Sequence, residues 1–172
     1  MEADRAVYQY AYELLLGQII NILLAGIIAV LFKAPLAVVV FLVCYIPLRS
    51  FCGGYHADTN LGCSIVSVLI LCANCYVYIS AGKFVLTWYP VMYFMAGYMV
   101  MRYAPVHDHN KPLDRKETMR YQTVSRIIWT AEAVIGGVLY WQQIRVGIAA
   151  AFSHLILAIM LGLGVLKNQK IE

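Results

Sequence analysis

The sequence predicts an all-α, polytopic integral membrane protein with six transmembrane helices, and three observations carry that expectation. Hydrophobic residues make up 62% of the 172-residue chain, against roughly 45–50% in ordinary globular proteins. Charged residues are only 13% and the mean hydropathy is +0.72, which leaves too little polar surface to coat a soluble domain of this size. The charges are also bunched, and the windows between them approach the roughly 20 apolar residues that a helix needs to cross a bilayer. Disordered and collagen-like chains are excluded by the same composition. A net charge of only +4 argues against a nucleic-acid-binding role.

Taken in order, the charge-free windows predict spans at about 14–32, 34–48, 60–82, 84–102, 123–142 and 146–166. Together they form a single six-span domain, 1–172. The first window lies between Glu13 and Lys33 and follows 13 acidic and aromatic residues, which lack the basic start and small-residue cleavage site of a signal peptide. Those residues read as an amphipathic lead-in at the interface. The second window, between Lys33 and Arg49, is short and spans by snorkelling of its flanks or local thinning of the bilayer. The third and fourth are divided by Lys83. The fifth carries Glu132, and the sixth carries no charge but includes His154. Before the fifth, the polar stretch 102–126 contains Pro105 and Pro112 and reads as a loop, with an interfacial helix beginning at Asp114.

Six crossings place both termini on one side. That side also receives ten of the thirteen Lys and Arg residues, and Lys33, Lys83 and Arg145 fall on the other. By the positive-inside rule the termini, the 49–60 loop and the 102–126 loop face the cytoplasm. The basic cluster from Lys111 to Arg126 then suits the anionic inner leaflet.

The segment 49–64, RSFCGGYHADTNLGCS, is the one that suggests chemistry. Paired glycines, Gly53 and Gly54, between two apolar spans indicate a sharp bend or a close backbone approach. Such non-helical backbone at membrane depth belongs in a loop or re-entrant segment buried in protein or facing a water-filled cavity. His56 and Cys63 follow, a minimal base and thiol nucleophile. In one straight helix they would lie about 10.5 Å apart along the axis, too far for a hydrogen bond. A new helix must therefore start between them, and Asp58, Thr59 and Asn60 are all capable N-caps. Cys63 then sits in the first turn, where the partial positive charge of the helix end favours a thiolate and the terminal N–H groups suit an oxyanion.

Arg49-x3-Gly53-Gly54-x-His56-Ala57, with Cys63 seven residues beyond the histidine, resembles the signature of the accessory gene regulator B (AgrB) family. Tyr103-Ala104-Pro105 followed by Lys111-Pro112-Leu113 is similar to a second segment of that family. Tyr55 and Asp58 stand at positions the pattern leaves variable. The resemblance implies a membrane cysteine endopeptidase that cuts an AgrD-like quorum-sensing precursor and holds the retained part as a thioester. An internal Cys or Ser of the precursor then closes a thiolactone or lactone ring. Cys63 matches the nucleophile and His56 the general base. The resemblance implies no cofactor or metal, and it is compatible with a homodimer.

Other residues admit both a functional and a packing role. Arg49 reads as a headgroup anchor or as a partner of Asp58 or an acidic precursor tail. Asp58 reads as a cap or as an orienter of His56, and Ser64 and Ser67 as donors to the site or to their own backbone. Lys111 belongs to the cluster that grips lipid or docks the substrate tail. Cys44, Cys52 and the Cys72-x-x-Cys75 pair read as packing. Glu132 and His154, ionisable groups inside spans, are expected to contact each other or Asn21 or Asn74. A small transporter or channel using Glu132 and His154 is the alternative function, with Cys63 only packing.

Overall fold

A computed structural model describes residues 2–55, 59–80, 83–106, 114–142 and 144–169. His56, Asp58 and Lys111 lie outside the described residues. Six helices run in chain order: α1 Glu2–Leu31, α2 Pro35–Cys52, α3 Asn60–Ser80, α4 Lys83–Tyr103, α5 Arg115–Trp141 and α6 Gly147–Gln169. Each overlies one apolar window. No β-strand occurs among the described residues, and the fold is all-α.

Three helices are long and apolar enough to cross a membrane by length and composition: Pro35–Cys52, Leu61–Ser80 and Val146–Gln169. The apolar run Leu15–Leu31 within α1 is shorter. The helices α4 and α5 are diluted by polar residues: α4 begins at Lys83 and ends near Arg102, and α5 opens on the charged run from Arg115 to Arg126. The surface of the bundle is nonetheless apolar in the manner of a membrane protein. Leu23, Val30, Val43, Phe94, Ile127 and Val134 are exposed, while Asn74, Ser125, Ser153 and His154 are buried. A water-soluble protein would reverse that arrangement.

Two boundaries differ from the window edges, and both matter for the site. The second helix continues through Arg49 to Cys52, with Pro47 accommodated inside it. The break after α2 therefore begins at Gly53 rather than at Arg49, and Arg49 is a helical residue. The fifth helix starts at Arg115, capped by a capping box in which Asp114 and Glu117 satisfy each other's backbone N–H groups.

Helix α6 is the central element. It packs most extensively on α4 and α2 and also touches α3 and α5. Its buried face runs from Gly147 to Gly164 and includes Phe152, His154, Leu157 and Leu161. One core cluster joins α1, α2, α3 and α6 around Phe41 and Cys75. A second joins Leu48, Cys52, Val100, Ala104, Val106, Leu157 and Leu161 beneath the 53–55 loop. Cys52 and Cys75 are thus packing residues, and Cys72 borders the first cluster.

The expected contact in the bundle interior is present. His154 Nε2 lies 3.1 Å from Glu132 Oε2, at ion-pair distance but without the alignment of a hydrogen bond. His154 Nδ1–H donates to Ala150 O at 2.7 Å, and its ring lies tilted against that of Tyr93, 4.3 Å between centroids. Asn74 goes elsewhere: its Nδ2 donates to Ala37 O, tying α3 to α2.

Candidate functional site

The site is built around the turn between α2 and α3. Gly53 has φ +68 and Gly54 φ +117, conformations that residues with a Cβ rarely adopt. Space forbids a Cβ as well. At Gly53 it would meet Val106 O at 2.1 Å, and at Gly54 it would meet Arg49 Nη1 at 2.5 Å and Met160 O at 2.9 Å. The chain needs both glycines because backbone from two other elements lies directly against it.

Those two elements hold the loop by hydrogen bonds. Val106 N–H donates to Cys52 O at 2.8 Å, and Val106 forms an isolated parallel bridge with Gly53. Tyr55 N–H donates to Met160 O in α6 at 2.8 Å. The α6 backbone can come that close because residue 164 is glycine: a Cβ there would lie 2.8 Å from Gly54 Cα. The Tyr55 ring lies under Lys167 Nζ at 5.3 Å. The Gly53-Gly54 motif and the Tyr103-Ala104-Pro105 segment, far apart in sequence, are therefore parts of one structure.

Arg49 is the side chain that fixes this loop. Its Nη1 donates to Gly53 O and its Nη2 to Tyr55 O, a forked contact with carbonyls two residues apart. Its own carbonyl accepts the Gly53 N–H at 3.1 Å. Of the readings open to Arg49, the geometry supports a clamp on the loop, a task suited to a rigid planar guanidinium.

Helix α3 begins one residue after Thr59, whose Oγ1 accepts the N–H of Gly62 at 3.1 Å as an N-cap. Of the three cap candidates in sequence, Thr59 serves. Cys63 follows at the end of the first turn, half-buried, with its N–H donating to Thr59 O at 3.0 Å. The N–H groups of Gly62 and Cys63 are thus both engaged within the turn. Ser67 Oγ donates back to Cys63 O at 2.9 Å.

Cys63, Arg49 and Tyr55 line one partly open cavity of about 410 Å³ between α1, α2, α3 and Met160 of α6. Its walls are mostly apolar, with Ser67 on the α3 side and Asn21 on the α1 side. Ser67 and not Ser64 lies on that wall, because the helical repeat brings i and i+4 to one face. The Glu132–His154 pair is not part of this cavity.

Sequence reasoning reached Arg49, Gly53, Gly54 and Cys63 but missed Val106, Met160 and Gly164, the partners that seat the loop. Gly162 and Gly164, spaced by one residue in an otherwise apolar helix, were the one available signal. Met160 contributes a backbone carbonyl, which no side-chain pattern can announce.

The fold and the site define a small helical membrane protein with a glycine-turned loop clamped beside a half-buried cysteine at a helix start. The family described as Accessory gene regulator B matches residues 1–165, and the chain belongs to that family. An AgrB-like protein of Clostridium perfringens strain SM101 is 26% identical over 117 residues, covering 63% of this chain and 54% of that protein. A second AgrB-like protein, from strain 13, is 24% identical over 151 residues, covering 81% of this chain and 70% of the relative. The match thus spans about half the length of the first of these relatives. No solved structure matches this chain.

Proposed function

We propose that this chain is a cysteine endopeptidase of the bacterial cell membrane that processes an AgrD-like quorum-sensing precursor. The observation that carries the reading is Cys63: it sits in the first turn of α3 and opens onto an apolar cavity beside a loop held rigidly by Arg49. Membership of the AgrB family supports it.

In this reading Cys63 Sγ attacks the scissile carbonyl after His56 takes its proton, and the C–N bond breaks. The departing amine recovers the proton from His56, and the retained part stays on Cys63 as a thioester. An internal thiol or hydroxyl of the precursor then attacks the thioester, forms the ring and returns the proton and the free Cys63 thiol. The apolar cavity supports that second step, because a thioester survives to cyclise only where water is scarce. With the Gly62 and Cys63 N–H groups engaged by Thr59, oxyanion stabilisation falls to the N–H groups of Asn60 or Leu61. Arg49, Gly53 and Gly54 act by positioning the chain that leads into His56. Asp58, Ser64 and Lys111 are assigned supporting roles around the site and the substrate tail.

All six helices cross the membrane in this proposal, with both termini and Cys63 on the cytoplasmic side against the anionic leaflet. The Glu132–His154 pair, on which a transporter reading would rest, is then an internal tie between α5 and α6.

The test is cleavage of a precursor peptide by purified protein in nanodiscs. Cys63→Ala and His56→Ala should each abolish cleavage while the protein remains membrane-inserted. Undiminished cleavage by Cys63→Ala would end the proposal.

A further inference from the structure

Tyr45 borders the same cavity as the thiol. It stands one turn before Arg49 in α2, and the i, i+4 spacing brings both side chains to one face. That face and the Cys63 side of α3 line the cavity together. The Tyr45 ring stacks on Phe41, 5.2 Å between centroids and 21° between planes. It also packs against both core clusters, the one around Phe41 and the one beneath the loop. A ring held on several sides keeps its hydroxyl in one place, as a donor to a transition state must be.

The hydroxyl has a defined neighbourhood. It pairs with the Arg49 guanidinium, and the Cys63 thiol lies within its electrostatic range. Arg49 is itself fixed at Gly53 O and Tyr55 O. The contacts thus run from the loop through the guanidinium to Tyr45. A guanidinium has donors and no acceptor. Toward Arg49 the Tyr45 oxygen can therefore only accept, and its own O–H proton is left for another acceptor. An oxygen that accepts from a cation is polarised and donates more strongly through that proton.

The chemistry at Cys63 supplies an acceptor. When Sγ attacks a carbonyl carbon, the π pair of the C=O bond moves onto the oxygen and leaves it negative. The cavity lies between α2 and α3, so the developing charge has a helix on either side. From α3 it meets the N–H of Asn60 or Leu61. A hydroxyl from the facing helix adds a second donor, and in apolar surroundings such a donor is worth more than in water.

We propose that Tyr45 is a catalytic residue of this site, its hydroxyl donating a hydrogen bond to the oxyanion that forms at Cys63. No proton changes hands in that contact. The bond tightens as charge builds on the oxygen and loosens when the C=O double bond returns and the amine departs. The proposal rests on the reading of Cys63 as the nucleophile and adds the group that stabilises its transition state from α2.

The experiment compares two reactions of one thiol, in the full chain in nanodiscs. With p-nitrophenyl acetate the Sγ–C bond forms, the ester C–O bond breaks, p-nitrophenolate leaves and the thiol proton passes to solvent. That path runs through an oxyanion. With iodoacetamide the Sγ–C bond forms, iodide leaves and the proton again passes to solvent, and no oxyanion arises. Mass spectrometry reads both products at Cys63 separately from the other cysteines. Tyr45→Phe keeps the ring and removes only the hydroxyl. It should slow acylation about tenfold, the weight of one hydrogen bond to a charged acceptor, and leave alkylation unchanged. Precursor cleavage should lose about a hundredfold in kcat at constant KM. Hydrogen exchange at the Tyr55 amide should stay at the parent's rate, because Arg49 still holds the loop.

An unchanged acylation rate would overturn the proposal. An equal loss in acylation and alkylation would make Tyr45 a support of the thiol, and faster exchange at Tyr55 would make it a support of Arg49; either result also overturns it. In all three cases, cleavage that still depends on Cys63 leaves the peptidase reading standing. Cleavage that survives Cys63→Ala, or a parent Cys63 that alkylates but never acylates, would instead overturn the reading beneath the proposal.

Discussion

Gly54→Ala is the most direct perturbation of the loop. Its Cβ would lie 2.5 Å from Arg49 Nη1 and 2.9 Å from Met160 O, at a φ of +117. The guanidinium can move, but the Met160 carbonyl belongs to the backbone of the central helix and cannot. The loop must therefore lift. Lifting breaks the 2.8 Å bond from Tyr55 N–H to Met160 O, a loss of about 1 kcal/mol. A residue with a Cβ at that φ adds a further cost of about 1–3 kcal/mol. Together these make about 3 kcal/mol against the docked loop, or roughly a hundredfold in its population. Hydrogen exchange in detergent micelles reads this directly: the amides of Tyr55 and Val106 should exchange about a hundredfold faster, and amides in the core of α6 should not change. Precursor cleavage should fall by a similar factor. Gly137→Ala is the control, because nothing lies within 4 Å of a Cβ at that position. If Gly54→Ala kept the parent's protection at Tyr55 and Val106, the account of the loop as wedged between Arg49 and α6 would be wrong.

Three further outcomes follow from the same geometry. Arg49→Lys should lose most of the activity despite the retained charge, because an ammonium cannot span the Gly53 and Tyr55 carbonyls as the guanidinium fork does; exchange at Tyr55 should rise with the loss, and unchanged exchange would refute the clamp. In a double-mutant cycle of Glu132→Leu and His154→Leu, unfolding in detergent should show a coupling of about 0.6 kcal/mol or more, the scale of interhelical polar contacts in membranes, and zero coupling would deny the pair any role in holding α5 to α6. Thr59→Ala should weaken the start of α3 by about 1 kcal/mol, seen as faster exchange at Gly62, and Thr59→Ser should restore protection.

Much of the helical framework was legible because a bilayer constrains a chain so strongly. Apolar runs bounded by Lys33, Arg49, Lys83 and Arg102 become helices because a helix satisfies its backbone groups within one segment, where apolar surroundings offer no other partner. The start of α5 at Asp114 was equally visible, since Asp114 and Glu117 have the spacing of a capping box. The extension of α2 through Arg49 to Cys52 was not. A charged residue and a proline at 47 imitate a helix end, and only the packing of Leu48 and Cys52 against α4 and α6 keeps that segment helical. Conversely, the Glu132–His154 contact was reachable from the cost of two ionisable groups inside spans.

By itself, then, the sequence determined that the chain is helical and apolar on its outside, that a new helix begins between His56 and Cys63, and that Gly53 and Gly54 mark a place where backbone must come close. It could not say what comes close. The tertiary structure decided that the partners are Val106 and the carbonyl of Met160, that Arg49 is spent on the loop, and that Asn21 faces the same cavity as Cys63. The physical reason is that these contacts lie between segments far apart in the chain and several are made by backbone atoms. A backbone carbonyl is the same in every residue, so its partner is fixed only by how the helices pack.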